Sequence, residues 1–194
     1  MKVMMIFDQT QAGLGGKESP DLAMGGKAMA IGSCGMFERF MQQNDGKIIA
    51  TLYCGDGTFK EDPEKNARKF AAMAKKFNPD VVICGPCFNY PGYGWMAAKT
   101  ALTINEHTDI PALDIIRNNI AFSNPNMSLE EVEKAAEFAD VRSNIEEFKD
   151  KVTILKMPKK GGTGLNEALS EMCVFARMLA NKEDTTAFIQ EHAY

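Results

Sequence analysis

The chain has 194 residues, 45% hydrophobic and 25% charged, with a formal net charge of −4 and a pI near 5.3. One soluble domain with a real core fits that length and composition. The acidic balance argues against the basic face of a nucleic-acid binder, and no apolar run reaches the ~18 residues of a membrane span. The five cysteines (Cys34, Cys54, Cys84, Cys87, Cys173) are an odd number and read as thiols of a cytoplasmic protein rather than a disulfide framework. The N-terminal MKVMMIFDQT is too short in its apolar part for a signal peptide.

Residues 2–7 (KVMMIF) form a short apolar run that ends in a polar, glycine-rich loop, DQTQAGLGGKESP. The stretch 11–46 is irregular, and its glycines at 25, 26, 32 and 35 argue against a long helix before about residue 33. Residues 47–54 (KIIATLYC) are a second run, ending in GDGTF. Asp62-Pro63-Glu64 then has the pattern of an N-cap, a proline at the first helical position and an acid in the first turn. The helix it opens carries Phe70, Met73, Ala74 and Phe77 on one face. Residues 80–84 (DVVIC) are a third run, ending in GPCFNYPGYG, with a shorter helix expected over 95–105. Residues 110–116 (IPALDII) are a fourth run, and 117–127 are irregular again. Ser128 and Glu131 have capping-box spacing ahead of another helical pattern. A fifth run, 151–157 (KVTILKM), ends in PKKGGTG. Leu169, Met172, Cys173, Ala176 and Leu179 are in helical register over 165–181, and 183–194 suit a small helix or a partner-docking tail.

Continuous apolar runs bounded by turn residues suit buried parallel strands. Their alternation with helices predicts a single three-layer α/β domain over 1–194, with a mainly parallel sheet of about five strands, Rossmann- or flavodoxin-like. In such sheets ligands bind beyond the carboxyl ends of the strands. The loops expected there hold Gly13, Gly15 and Gly16; Cys54, Gly55 and Asp56; Gly85, Asn89, Gly92 and Tyr93; and Gly161, Gly162 and Gly164. Glycines allow a ligand close to the backbone. Asn89 and Tyr93 offer orienting hydrogen bonds, and Asp56 is either a general acid/base or a turn aspartate bonding its own backbone. The substrate-binding candidates are therefore Gly13, Gly15, Gly16, Gly85, Asn89, Tyr93 and Gly162, and the catalytic candidates Cys87, Cys54 and Asp56.

The quartet Cys84-Gly85-Pro86-Cys87 has two readings. A dithiol couple would place Cys87 near a helix start, where a thiol ionises more easily. The preceding VVI instead points Cys84 into the packing of the sheet. With Cys84 packed, Cys87, followed by Cys54, is expected to border the cleft as the most reactive thiols, whereas a dithiol couple would make Cys84 label first and pair with Cys87. His107 and His192 have no metal-ligand spacing with the cysteines, so no metal is expected.

Three motifs, QTQAGLGGK (9–17), CGDGTFKEDP (54–63) and GPCFNYPGYG (85–94), stand in the order and spacing that resemble the N-terminal region of the selenoprotein B component of glycine, sarcosine and betaine reductases, within the wider family that includes D-proline reductase. The resemblance is good over about residues 1–116 and loose beyond. It implies reductive cleavage of a C–N bond α to a carboxylate, in anaerobic amino-acid fermentation. A pyruvoyl group on a partner subunit activates the amine and a selenol displaces it. The selenocysteine belongs to a C-terminal half that follows the matched region in the family. The resemblance therefore implies a subunit or paralogue that shapes the substrate pocket, inactive alone, with selenocysteine and pyruvoyl on partner subunits and no cofactor of its own. Gly92 stands where the family pattern carries an arginine, the natural bidentate partner of a carboxylate, and Lys17 stands where it carries an acid. The alternatives are a non-catalytic small-ligand-binding α/β domain and a CxxC dithiol redox protein.

Overall fold

The apolar run nearest the N-terminus becomes the centre of the sheet. In the computed structural model, which describes residues 1–87, 90–114 and 164–192, Lys2–Phe7 (β1) is paired on both edges and Val3 to Phe7 are fully buried. One neighbour is Lys47–Tyr53 (β3) and the other is Val81–Cys84 (β4), both parallel to it. A strand covered on both faces presents no side to water, so its sequence is continuously apolar rather than alternating. Ala112–Asp114 (β5) continues the sheet in parallel beyond β4, and Gly25–Lys27 (β2) closes the other edge, antiparallel to β3. The order is β2-β3-β1-β4-β5.

The expected three-layer α/β arrangement is present. Among the described residues the sheet has one strand the apolar runs did not mark, β2, while the run 151–157 and the helix expected after Ser128 lie outside the described residues. The tripeptide GGK has no hydrophobic signal. It pairs because its glycines permit close approach: a Cβ on Gly25 would sit 2.6 Å from the Tyr53 hydroxyl, and one on Gly26 would sit 2.5 Å from Leu52 Cδ2.

The helices cover both faces. After a 3-10 turn at Gly32–Met36 come Glu38–Gln43 (α1), Asp56–Glu61 (α2), Pro63–Phe77 (α3) and Pro91–His107 (α4). Gly164–Ala180 (α5) and Thr186–His192 (α6) follow. α4 lies on β1, β4 and β5 and packs against α3, while α5 packs on β4 and meets α1, which rests on β3. The Asp62 cap is as expected: its carboxylate accepts from the Lys65 N–H at 3.2 Å, with Pro63 at the first helical position. Ala67, Phe70, Ala71 and Ala74 are the buried face of α3, with Met73 and Phe77 half-buried at its margin. GDGTF, expected as a loop, is the start of α2. Phe59 anchors it, stacked on Phe70 with centroids 6.3 Å apart and edge-on to Trp95 at 5.7 Å; this tertiary contact overrides the weak helix propensity of the glycines. Among the described residues no helix is long and apolar enough to cross a membrane.

Tyr93 has a different place from the one expected. Rather than facing a ligand it is fully buried, and its hydroxyl donates to the Ile6 carbonyl at 2.6 Å. The bond pins α4 to the central strand across 87 positions of sequence. Tyr93→Phe is therefore expected to lower unfolding stability by about 1–2 kcal/mol, the usual effect of deleting a buried hydrogen bond, as read by the urea midpoint.

Candidate functional site

Strand order decides where the crevice opens. From β1 the chain moves to β3 on one side, and from β4 it moves to β5 on the other. The order reverses between β1 and β4, and ligand crevices in parallel sheets form at such a reversal. The carboxyl ends are level, since Phe7 pairs with Tyr53 and Ile6 with Cys84. Three loops consequently emerge together: the one after β1, starting at Asp8; the one after β3, carrying Cys54 and Gly55 into α2; and the one after β4, through Gly85-Pro86-Cys87 to the start of α4. The Gly85–Pro86 bond is cis.

Asp8 and Gln9 follow β1 directly and both are buried. The Asp8 Oδ1 accepts from the Gln11 N–H at 2.7 Å, closing an Asx-type turn. Gln11 is fixed in turn to Ser33, whose N–H donates to the Gln11 carbonyl at 2.8 Å. The Gln9 side chain reaches across to the end of β3. Its Nε2 donates to Asp56 Oδ1 at 3.0 Å, and its Oε1 accepts from the Asp56 N–H at 3.2 Å. The half-buried Tyr90, at the N-cap position of α4, donates its hydroxyl to the same Asp56 Oδ1 at 3.1 Å. Asp56 Oδ2 faces Gly92 in the first turn of α4, so closely that a Cβ on residue 92 would collide with it. Asp56 thus lies at the start of α2 and against the start of α4, and helix N-termini favour negative charge. The Lys17 ammonium lies 5.5 Å from the centre of the Tyr90 ring, in cation–π position.

The site is electrostatically loaded. Burial raises the Asp8 carboxyl to about 6, helped by the charge of Asp56 and opposed by the Gln11 N–H. The Tyr90 phenol is pushed up to about 12, by burial first and then by the charge and hydrogen bond of Asp56, so it stays a donor at neutral pH. A carboxyl that titrates near 6, beside a second carboxylate and a fixed hydroxyl donor, can take up or release a proton around neutrality.

Of the expected residues, the structure brings Asp56 into this cluster. Gly13, Gly15 and Gly16 form the outer part of the loop after β1, and the Gly16 N–H donates to Glu18 Oε1 at 3.0 Å. Gly85 is buried at the end of β4. Asn89 and Gly162 lie outside the described residues. The thiols differ from expectation. Cys54 and Cys87 are both completely buried instead of bordering an open cleft, and so is Cys84. Cys54 ends a strand that is covered on both faces, and burial pushes its thiol up to about 12; Lys69 opposes this and Asp56 adds to it. No disulfide joins Cys84 and Cys87. The sequence CGPC thus packs at the end of a buried strand and presents no accessible dithiol. Among the described residues no cluster of three or more His, Cys, Asp or Glu could hold a metal ion. An open depression on α3, lined by Asp62, Glu64, Lys65, Arg68, Lys69 and Ala72, includes none of the residues at the strand ends.

Sequence reasoning missed Asp8, Gln9 and Tyr90. Asp8 and Gln9 are the first polar residues after the most apolar strand, which is itself a usable signal once that strand is taken as central. Tyr90 directly precedes the proline that starts α4, a position that fixes it over Asp56.

Two outcomes test this description. Asp8 titrates near 6 in the folded chain against about 4 unfolded. Its neutral form favours folding, so its contribution is full below about pH 4 and is lost as pH rises through about 6. Asp8→Asn is expected to raise stability above pH 7 by up to about 3 kcal/mol, with the gain fading to nothing near pH 4 in parallel urea titrations. For the thiols, iodoacetamide at pH 7.5 is expected to leave all five cysteines unlabelled in the native protein and to label them after unfolding, because burial suppresses attack on each and a raised thiol pKa adds to it at Cys54 and Cys173. Rapid native labelling of Cys87 or Cys54, mapped by mass spectrometry, would contradict the burial.

The comparisons with known proteins agree with the motifs. The family model for glycine/sarcosine/betaine reductase selenoprotein B matches residues 1–194. Among curated proteins, the chain is 29% identical over 113 residues to the glycine reductase complex component B subunit gamma of Peptoclostridium acidaminophilum. It is 30% identical over 112 residues to the subunit of the same name from Carboxydothermus hydrogenoformans. It is 27% identical over 113 residues to the sarcosine reductase complex component B subunit beta of Peptoclostridium acidaminophilum. Each match covers 58% of this chain and 26% of the relative, so the chain spans about a quarter of the length of the curated relatives it matches. No solved structure matches it. The chain belongs to the glycine/sarcosine/betaine reductase selenoprotein B family.

Proposed function

We propose that this chain is a subunit or paralogue within a selenocysteine-dependent amino-acid reductase complex, and that the Asp8–Asp56–Tyr90 cluster forms part of its substrate pocket. The reaction is reductive C–N cleavage of a substrate of the glycine, sarcosine, betaine or D-proline type. The observation that carries the reading is the pair of buried carboxylates at the strand-order reversal, in a chain whose family match spans its full length. The relatives are named as components of glycine and sarcosine reductase complexes, which supports the same assignment here.

In this reading Asp56 accepts a hydrogen bond from the substrate through Oδ2, the atom turned to Gly92. Asp8 exchanges a proton close by, and Tyr90 holds the Asp56 charge in place. The buried thiols take no direct part. The selenol and the pyruvoyl group come from partner subunits, and this chain contributes orientation and charge.

The test is reconstitution. The tagged chain is purified anaerobically from cells that encode it, and the co-purifying subunits are identified by selenium content and by mass. Dithiol-dependent amine release is then assayed with glycine, sarcosine, betaine and D-proline. The complex is expected to turn over one of these and the isolated chain none. Asp56→Asn in the complex is expected to lower kcat/KM by about 10- to 100-fold, the effect of losing one charge-assisted hydrogen bond. Turnover by the isolated chain, or an unchanged Asp56→Asn complex, would remove the proposal.

A further inference from the structure

We infer that Gln9 is the positioning residue of this site: its side-chain amide fixes the Asp56 carboxylate so that Oδ1 is occupied inside the protein and Oδ2 alone is presented across Gly92. The inference rests on the reading that Asp56 meets substrate. It adds the residue that aims Asp56 and the kind of group that Asp56 takes.

Both polar atoms of the Gln9 side chain bond Asp56, and the side chain is also hydrogen-bonded to the Tyr90 phenol. Nε2 donates to Asp56 Oδ1 and Oε1 accepts from the Asp56 N–H. Flipping the amide would set two oxygens against each other and two N–H groups together, so its orientation is fixed by chemistry. Gln9 is fully buried at the end of the central strand, and its own carbonyl accepts from the Leu14 N–H at 3.0 Å. It is held by β1 and by the glycine loop, while Asp56 belongs to the six-residue helix α2. The sheet therefore sets the position of the carboxylate through Gln9.

The side chain at position 9 must be neutral, must both donate and accept, and must reach across to the next strand. Glutamate would repel Asp56, asparagine is one methylene short, and leucine would leave the Asp56 N–H without its acceptor. Tyr90 adds a second donor to the same Oδ1. With two donors on one oxygen, the carboxylate turns its other oxygen to the first turn of α4, where Gly92 puts no side chain in the way. Oδ2 is an acceptor, so the group it takes is an N–H or O–H donor that enters past Gly92. A fully substituted nitrogen offers no such bond.

The rotamer of Asp56 reports the lock directly. Three-bond couplings across its χ1, measured by NMR on labelled protein, are expected to show a single rotamer in the wild type and in Tyr90→Phe, where Gln9 still holds Oδ1. Gln9→Leu is expected to lose the single rotamer and show averaged couplings while the rest of the spectrum stays folded. Gln9→Glu, read at pH 8, covers the case that the leucine variant does not fold. Its introduced carboxylate no longer donates, and the same averaging is expected. A purely structural role for Gln9 would change stability and leave the Asp56 couplings alone. An unchanged single rotamer in either folded Gln9 variant, or averaged couplings in the wild type, overturns the inference. If the lock is seen but Asp56→Asn leaves the reconstituted complex unaffected, the functional reading fails and the positioning role of Gln9 stands.

Discussion

Because β1 is paired on both edges and covered on both faces, its chain is polar only at its two ends, Lys2 at the start and Asp8 just past the carboxyl end. The rest of the molecule follows from that constraint. Asp8 and Gln9 are the first residues free of the sandwich, and they emerge level with the ends of β3 and β4. They stand at the order reversal, the position where ligand crevices form in parallel sheets. The Tyr93 bond to Ile6 then seats the first turns of α4 against the same strand, bringing Tyr90 and Gly92 over Asp56. A shift of β1 by one residue would swap its two buried faces, carry Asp8 and Gln9 out of level with the ends of β3 and β4, and dismantle the cluster with it.

Two carboxyl groups share this small volume, and their environments differ. Asp56 has a side-chain amide and a phenol on one oxygen and helix starts on two sides. Asp8 receives a backbone N–H from its own turn, and burial dominates its ionisation. A carboxyl whose ionisation is governed by burial, next to a second carboxyl and a phenol donor, is a common element of acid–base sites. The same burial silences the cysteines. Cys54 ends the strand adjacent to β1, and the side chains that cover the sheet cover its sulfur as well.

The sequence was most legible where one physical signal acted alone. Continuous apolar runs marked β1, β3 and β4, and the Asp62-Pro63 cap marked the start of α3. Reading failed where a tertiary contact outweighed local propensity. Phe59, inserted between Phe70 and Trp95, makes a helix of GDGTF. Pairing with β3 makes a strand of GGK. The site was half visible: the strand-end rule pointed to the loops that hold Asp56, but Cys54 and Cys87 stood out by residue type while the burial of their sulfurs is a property of the packed layers. Gln9 and Tyr90 are ordinary residues in isolation. Their importance lies in a convergence across 47 and 34 positions of chain, which no local window contains.

The edge strand β2 has a consequence for how the protein behaves in a crowd. A sheet whose outermost strand is long, flat and apolar invites the strands of other molecules to add to it. Here that border is three residues, two glycines and an exposed lysine. It offers a second chain almost no ladder to continue and sets a charge at the point of approach. Among the described residues the parallel core ends on that side in a segment too short to serve as a template for aggregation, which favours colloidal stability at high concentration.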